Sequence, residues 1–153
     1  MDDSYKTIEE IAEGYITERK SKFISYAIPV ETEDEVKEIL EEYRKKYYNA
    51  RHVCWAYMLG ELRDDFRSND DGEPSGTAGI PILKVLENNN LTNTLAIVIR
   101  YFGGIKLGAN GLIRAYTKCT ANAIKENTLN KLTKGLNINI NFPYTLLGDF
   151  FAN

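Results

Sequence analysis

The alternation of apolar and polar positions predicts two strands near the beginning of the chain. Residues 23–30 alternate apolar and small or polar side chains, as a half-buried strand does. Residues 8–16 have strand character too, although Ile8, Ile11 and Tyr15 would also suit one face of a helix. We predict two strands joined by a turn around residues 18–21.

A helix and a third strand follow in the pattern. Thr32 and Glu35 have the spacing of a capping box, and apolar residues at helical intervals continue the helix to about Tyr48. Residues 52–59 form an apolar and aromatic run of strand length. Residues 61–79 hold so many Asp, Asn, Gly and Pro that we predict a loop throughout.

The second half of the pattern predicts a central strand between two helices. Pro81 suits the first turn of a helix that begins at residues 78–80 and ends near Leu86. Residues 94–101 are apolar on both faces, which is typical of a strand in the middle of a covered sheet. After a glycine-rich stretch, a long helix is expected to about Asn127.

The order of elements predicts an α+β protein, a two-layer α/β sandwich built on one sheet over residues 1–130. Residues 136–142 then alternate as a strand, and residues 146–151 look like the beginning of a helix, so the pattern sets residues 131–153 apart from this domain. So short a piece cannot enclose a core, and it would dock on the first domain, continue in a longer protein, or pair with a second copy as a homodimer.

Composition and charge narrow the class of protein. The chain has 153 residues, 43% hydrophobic and 27% charged, and holds neither a membrane-length apolar run nor a secretory leader, which favours a cytoplasmic protein. Residues 1–48 carry 8 basic and 13 acidic side chains, and residues 85–153 carry 7 and 3. The acidic first third argues against coating nucleic acid by charge alone, but the basic second half allows one phosphate-facing surface.

The first candidate loop, residues 68–79, is rich in carboxylates. Asp70, Asp71 and Glu73 could hold a cation through oxygen ligands, but the spacing fails the calcium-loop pattern and we predict no metal. The carboxylates could instead satisfy backbone donors in turns, with Ser75 or Thr77 capping the next helix. A third interpretation is an anion bound at that helix start.

The second candidate loop, residues 100–114, follows the central strand and precedes a helix, which is a place that suits phosphate. Its glycines fit neither nucleotide-binding motif, GxxxxGK[ST] or GxGxxG. Cations could contact phosphate and aromatic rings could stack on a base, or the glycines could only serve turns while the aromatics are core. The candidate binding residues here are Arg100, Tyr101, Phe102, Gly103, Gly104, Lys106, Gly108, Gly111 and Arg114.

Nucleophilic catalysis finds little support. His52 and Cys54 alternate on one strand, so a Cys/His pair is geometrically possible, but a polar histidine contact at a strand edge is commoner. His52 and Lys20 are therefore secondary binding candidates, and we predict neither catalytic residues nor a cofactor.

Several stretches together resemble the YigZ/IMPACT family in the same order and spacing, over about residues 15–127. They are Lys20-Ser21-Lys22-Phe23-Ile24, Ala50-Arg51-His52, the loop from Asp70 to Gly79 with Pro81, and Arg100 to Gly104 with Leu107-Gly108 and Gly111 to Tyr116. Asn110 departs from the family's usual glycine, and Ile80 stands where a charged residue is frequent.

That resemblance implies a fold similar to domain IV of elongation factor G, with a left-handed βαβ crossover, and a ferredoxin-like second domain of which residues 136–151 would be the opening. It also implies a role in translation, through RNA or the ribosome in bacteria and through a kinase-regulating partner protein in eukaryotes. The leading hypothesis is a non-enzymatic translation-related binding module that contacts RNA, ribosome or a translation-regulatory protein through the two loops. The alternatives are an enzyme acting on a phosphorylated small molecule and a pure protein-interaction module.

Overall fold

The computed structural model describes the backbone of residues 5–136 and the side chains of residues 5–127. Its single sheet has the order β1-β2-β5-β3-β4, with every neighbouring pair antiparallel. The strands are β1 (Ala12–Glu18), β2 (Ser21–Pro29), β3 (His52–Leu59), β4 (Asp65–Asn69) and β5 (Thr94–Tyr101), and the helices are α1 (Glu33–Lys46), α2 (Gly79–Asn88) and α3 (Gly108–Leu136).

Strands β1 and β2 form the expected hairpin. Its two turn residues, Arg19 and Lys20, have φ angles of 45° and 68°, as the two central residues of a type I′ turn require. A Cβ at Gly14 would lie 2.7 Å from the Ala123 nitrogen, so glycine allows β1 to lie directly against α3. The helical alternative for residues 8–16 is therefore wrong from Ala12 onward.

Helix α1 connects two parallel strands. Both β2 and β3 pair antiparallel with β5, so they run in the same direction on either side of it. The capping box is confirmed: the Glu35 N–H donates to the Thr32 hydroxyl over 3.1 Å, and the Thr32 N–H donates to the Glu35 carboxylate over 3.3 Å. This β2-α1-β3 unit is the crossover of the fold.

Apolar side chains pack on both faces of the sheet. In β5, Ala96 and Val98 face a core shared with α2 and α3, while Leu95, Ile97 and Ile99 face a second core shared with α1. Strand β5 is third of five, which confirms the expected central strand. The two-layer prediction is wrong, because helices cover both faces and the domain has three layers.

An unpredicted strand and a longer helix α3 also distinguish the structure from the predictions. Strand β4 lies inside the predicted loop, because pairing with β3 from Leu59↔Asp65 to Trp55↔Asn69 makes a strand of polar edge residues. Helix α3 continues to Leu136, beyond the predicted end near Asn127 and across the expected boundary after residue 130. Apart from Leu136, the predicted strand 136–142 and helix start 146–151 lie outside the described residues. Across residues 5–136, none of the helices has the length and apolarity to cross a bilayer.

Candidate functional site

The first candidate loop is organised by the Asp70 carboxylate. It accepts hydrogen bonds from the backbone N–H groups of Gly76 (2.9 Å), Ala78 (3.1 Å) and Gly79 (2.7 Å). These groups lie at the N-terminus of α2, whose first N–H groups have no partner within the helix. Asp70 therefore caps α2 from outside the helix and compensates its dipole.

This cap corrects the expectation for Ser75 and Thr77. The Ser75 side chain is exposed, and the Thr77 hydroxyl donates to the Pro74 carbonyl over 2.6 Å. Neither caps α2. Because the Ala78 and Gly79 N–H groups already donate to the Asp70 carboxylate, they argue against the anion expected at this helix start.

Asp71 and His52 fasten the same loop to the beginning of β3. The Asp71 carboxylate accepts from the Val53 N–H over 2.7 Å, and the Asp71 carbonyl lies 2.8 Å from His52 Nδ1. Asp71 has a φ of 42°, a left-handed conformation that Asp tolerates better than most residues. These contacts fix where the loop passes over the sheet end.

Glu73 lies at the centre of a buried polar network. Its Oε1 and Oε2 accept from Arg100 Nη1 over 3.0 and 2.8 Å, and both residues are at least 93% buried. Arg100 also donates to the Ser21 hydroxyl through Nη2, over 3.2 Å. Arg100 is therefore not the phosphate-facing cation that the sequence suggested, because its charge is compensated inside the domain.

Tyr116 and Cys54 complete the network and were missed as polar participants. The Tyr116 hydroxyl donates to Glu73 Oε2 over 2.5 Å, and the Cys54 thiol lies 3.4 Å from that hydroxyl. Burial raises the pKa of both groups well above its usual value, so both stay protonated. The sequence gave no sign of a buried carboxylate that would accept from Tyr116.

The glycines of the second loop meet different structural requirements. A Cβ at Gly103 would lie 2.1 Å from the Lys20 carbonyl group, so the loop passes directly over the β1–β2 turn only because glycine stands there. Gly104 and Gly108 have φ angles of 90° and 77°. Gly111 lies in the first turn of α3, with no such constraint on its φ.

The two candidate loops meet at one cleft. Its volume is about 310 Å³. The lining residues come from the start of β3, from both loops and from the start of α3: Arg51, His52, Glu73, Pro74, Arg100, Phe102, Lys106, Leu107, Gly108, Ala109 and Leu112. The first residues of α3, Gly108 and Ala109, thus lie beside both loops in the cleft.

The exposed cations of the cleft are Arg51 and Lys106. The Arg51 guanidinium lies 4.9 Å from the centre of the Phe102 ring, a cation–π distance. Phe102 is 39% exposed. Arg51 was not among the candidate binding residues. Its place in the sequence directly before His52, a secondary candidate, could have indicated it, because His52 pairs with Arg100 in the sheet.

A second cavity of about 470 Å³ adjoins Phe102 on the α1 side of the sheet end. Its lining consists of Lys20, Lys22, Ile24, Asn49, Tyr101 and Phe102. The Tyr101 hydroxyl donates to the Asn49 side chain over 3.1 Å, so the Tyr101 ring is held by the loop that follows α1. Phe102 therefore belongs to both cavities.

Eight of the predicted binding residues line neither cavity: Asp70, Asp71, Ser75, Thr77, Gly103, Gly104, Gly111 and Arg114. Among them, Ser75 and Arg114 have exposed side chains. Within residues 5–127, no three His, Cys, Asp or Glu side chains cluster in the manner of a metal site.

Fold and site together define a mixed α/β domain with one antiparallel sheet and three helices, which carries a cation-lined cleft at one sheet end. The Impact N-terminal domain family matches residues 19–124, and the chain belongs to this family. The resemblance drawn from its motifs is thereby confirmed.

Relatives and a solved structure agree with that assignment. The chain is 50% identical over 121 residues to the IMPACT family member YvyE of Bacillus subtilis, covering 79% of this chain and 56% of the relative. It is 36% identical over 117 residues to the IMPACT family member YigZ of Escherichia coli, covering 75% and 57%. A crystal structure described as a hypothetical protein superposes with a TM-score of 0.75 at 30% identity, covering 82% of this chain and 62% of that one. The chain thus spans little more than half the length of these two relatives.

Proposed function

We propose that this domain is a non-enzymatic, translation-related module that binds single-stranded RNA across Phe102. The observation that carries the proposal is the pair of cavities that share this exposed ring. Arg51 and Lys106 line one cavity, and Lys20 and Lys22 line the other. An aromatic platform flanked by cations on both sides is the usual arrangement for binding a single strand without strict sequence readout.

The buried network supports this function by removing a charge that would repel phosphate. Glu73 lines the cleft, but its carboxylate is paired with Arg100 and accepts from Tyr116. The electrostatic field in the cleft is therefore set by Arg51, Lys106 and the first N–H groups of α3. Base stacking on an aromatic side chain contributes about 1–3 kcal/mol per base.

The link to translation rests on the family resemblance of the motifs. The same resemblance supports a fold like domain IV of elongation factor G with a left-handed crossover at β2-α1-β3, and a cytoplasmic location. A ribosomal surface would offer the RNA, and a translation-regulatory protein is the alternative occupant of the same cations.

An enzyme acting on a phosphorylated small molecule is the second candidate, because His52 and Glu73 both line a cleft large enough for a metabolite. Against it, the Glu73 carboxylate is committed to an ion pair with the buried Arg100, so taking a proton from a substrate would break that pair. Turnover of a phosphorylated compound that is lost in His52→Ala would favour the enzyme.

The test measures binding of a fluorescently labelled single-stranded RNA of about ten nucleotides by fluorescence anisotropy, at a range of salt concentrations. Four cations that each displace a counterion give a slope of log K against log salt of about −3. Arg51→Ala and Lys106→Ala should each make the slope about 0.7 less steep. Arg114→Ala is the matched control, because this exposed cation lines neither cavity. A salt-independent complex, or an equal effect of the control, would contradict the proposal.

The domain division and self-association stay predictions. We propose that residues 131–153 begin a second, ferredoxin-like domain and support pairing of two copies as a homodimer. The first six of these residues belong to α3, and the rest lie outside the described residues.

A further inference from the structure

We propose that the cleft selects a nucleotide whose base carries its exocyclic amino group at purine C6 or pyrimidine C4, adenine or cytosine, through two acceptor atoms, His52 Nε2 and Glu73 Oε1. This inference rests on the proposed RNA-binding function and adds a base preference to it. The preference would be the only part of binding that depends on sequence.

The contact of His52 with Asp71 determines which ring nitrogen can accept. Nδ1 lies 2.8 Å from the Asp71 carbonyl oxygen, and a carbonyl oxygen only accepts hydrogen bonds. Nδ1 therefore carries the proton. In the neutral imidazole Nε2 then has a free lone pair, and this atom is on the side of Glu73.

The two acceptor atoms lie close together but are not hydrogen-bonded to each other. His52 Nε2 is 3.5 Å from Glu73 Oε1, whereas a charge-assisted hydrogen bond between them would be about 2.7–2.9 Å long. Among the described residues, Oε1 accepts only from Arg100 Nη1, and a carboxylate oxygen can accept a second hydrogen bond. Both side chains line the cleft. With the imidazole neutral, both atoms can therefore accept a hydrogen bond from an N–H group of a ligand.

The exposed cations of the lining have the opposite polarity. Arg51 and Lys106 supply only donors and positive charge, which suit a phosphate. A ligand that fits the whole cleft has an anionic group and an N–H donor group on one aromatic frame, as a nucleotide with an amino-bearing base does. Uracil presents a carbonyl oxygen where cytosine has its amino group, and that oxygen would face two acceptors.

The experiment compares two RNA oligomers that differ only in the amino group, oligoadenylate and the same length of purine riboside. Both retain the purine ring for stacking on Phe102 and the same phosphates. Since one hydrogen bond from the ligand is lost, we expect oligoadenylate to bind about three- to tenfold more tightly. Oligouridylate should bind more weakly than oligocytidylate for the same reason.

A variant connects the preference to the named atom. His52→Phe keeps a ring but has no acceptor, and in this variant the two purine oligomers should bind equally. The wild-type comparison does not depend on this variant folding correctly. Equal binding of both oligomers to the wild type, with the salt slope intact, would overturn the base preference and leave the RNA-binding proposal standing. The absence of binding to either oligomer would contradict the RNA-binding proposal itself. A preference retained in a folded His52→Phe would overturn the role of Nε2.

Discussion

Replacing Glu73 by alanine should destabilise the domain strongly, because it breaks a buried ion pair from one side. Glu73 is 7% exposed and Arg100 is 5% exposed, and the carboxylate accepts from Arg100 and from the Tyr116 hydroxyl. Its loss leaves a buried guanidinium charge uncompensated and a buried hydroxyl without its acceptor. Removing one partner of such a pair costs about 3–5 kcal/mol in the free energy of unfolding.

The measurement is chemical and thermal unfolding of the variant beside wild type. For a domain of this size, we expect the melting temperature to fall by about 10–20 °C. Glu38→Ala, on the exposed side of α1, is the matched control and should change stability by less than about 0.5 kcal/mol. Glu73→Gln keeps the size and one acceptor, so it should lose less than Glu73→Ala.

A double variant distinguishes an unpaired charge from a simple loss of packing. If the buried guanidinium is the cause, Glu73→Ala combined with Arg100→Met should be more stable than Glu73→Ala alone. A loss below about 1 kcal/mol in Glu73→Ala, or a double variant that equals the sum of the two single losses, would refute this account of the pair.

Two further predictions concern the α2 cap and a buried thiol. Asp70→Ala should lower the free energy of unfolding by about 1–3 kcal/mol, while Ser75→Ala should stay within about 0.5 kcal/mol; similar losses in denaturant unfolding would contradict the cap assignment. Burial raises the pKa of Cys119 from 9.0 to about 11, so the folded state holds this proton more tightly than the unfolded state. The resulting stabilisation is complete below pH 9 and is lost as the pH rises to 11, and Cys119→Ala should show a shallower decline in urea unfolding measured across that range; an identical decline would contradict it.

Local patterns predicted the parts of the fold that local physics determines. The capping box of α1 depends on residues three apart, and the central place of β5 follows from its being apolar on both faces. Strand β4 could not be predicted in this way, because its polar residues become a strand only through pairing with β3.

The candidate site, like the fold, could be predicted from the sequence only in part. The motifs identified both loops, which the structure brings together at one cleft. They did not identify the partner of each charge. Arg100 finds Glu73 at a separation of 27 residues, and Asp70 binds the start of a helix whose own sequence offered Ser75 and Thr77. Such pairings depend on the tertiary fold, and a sequence motif does not show which distant residues the fold brings together.

These long-range pairings also decide which charges remain for a ligand. Arg100 and Asp70 look from the sequence like binding groups, but the fold uses one to compensate Glu73 and the other to cap α2. The exposed cations that remain in the cleft are Arg51 and Lys106. The internal pairing therefore does more than stabilise the domain, because it leaves these two cations without a buried partner while Glu73 is compensated by Arg100. Under the proposed function, the two cations hold the phosphate and the acceptor atoms of His52 and Glu73 distinguish the base.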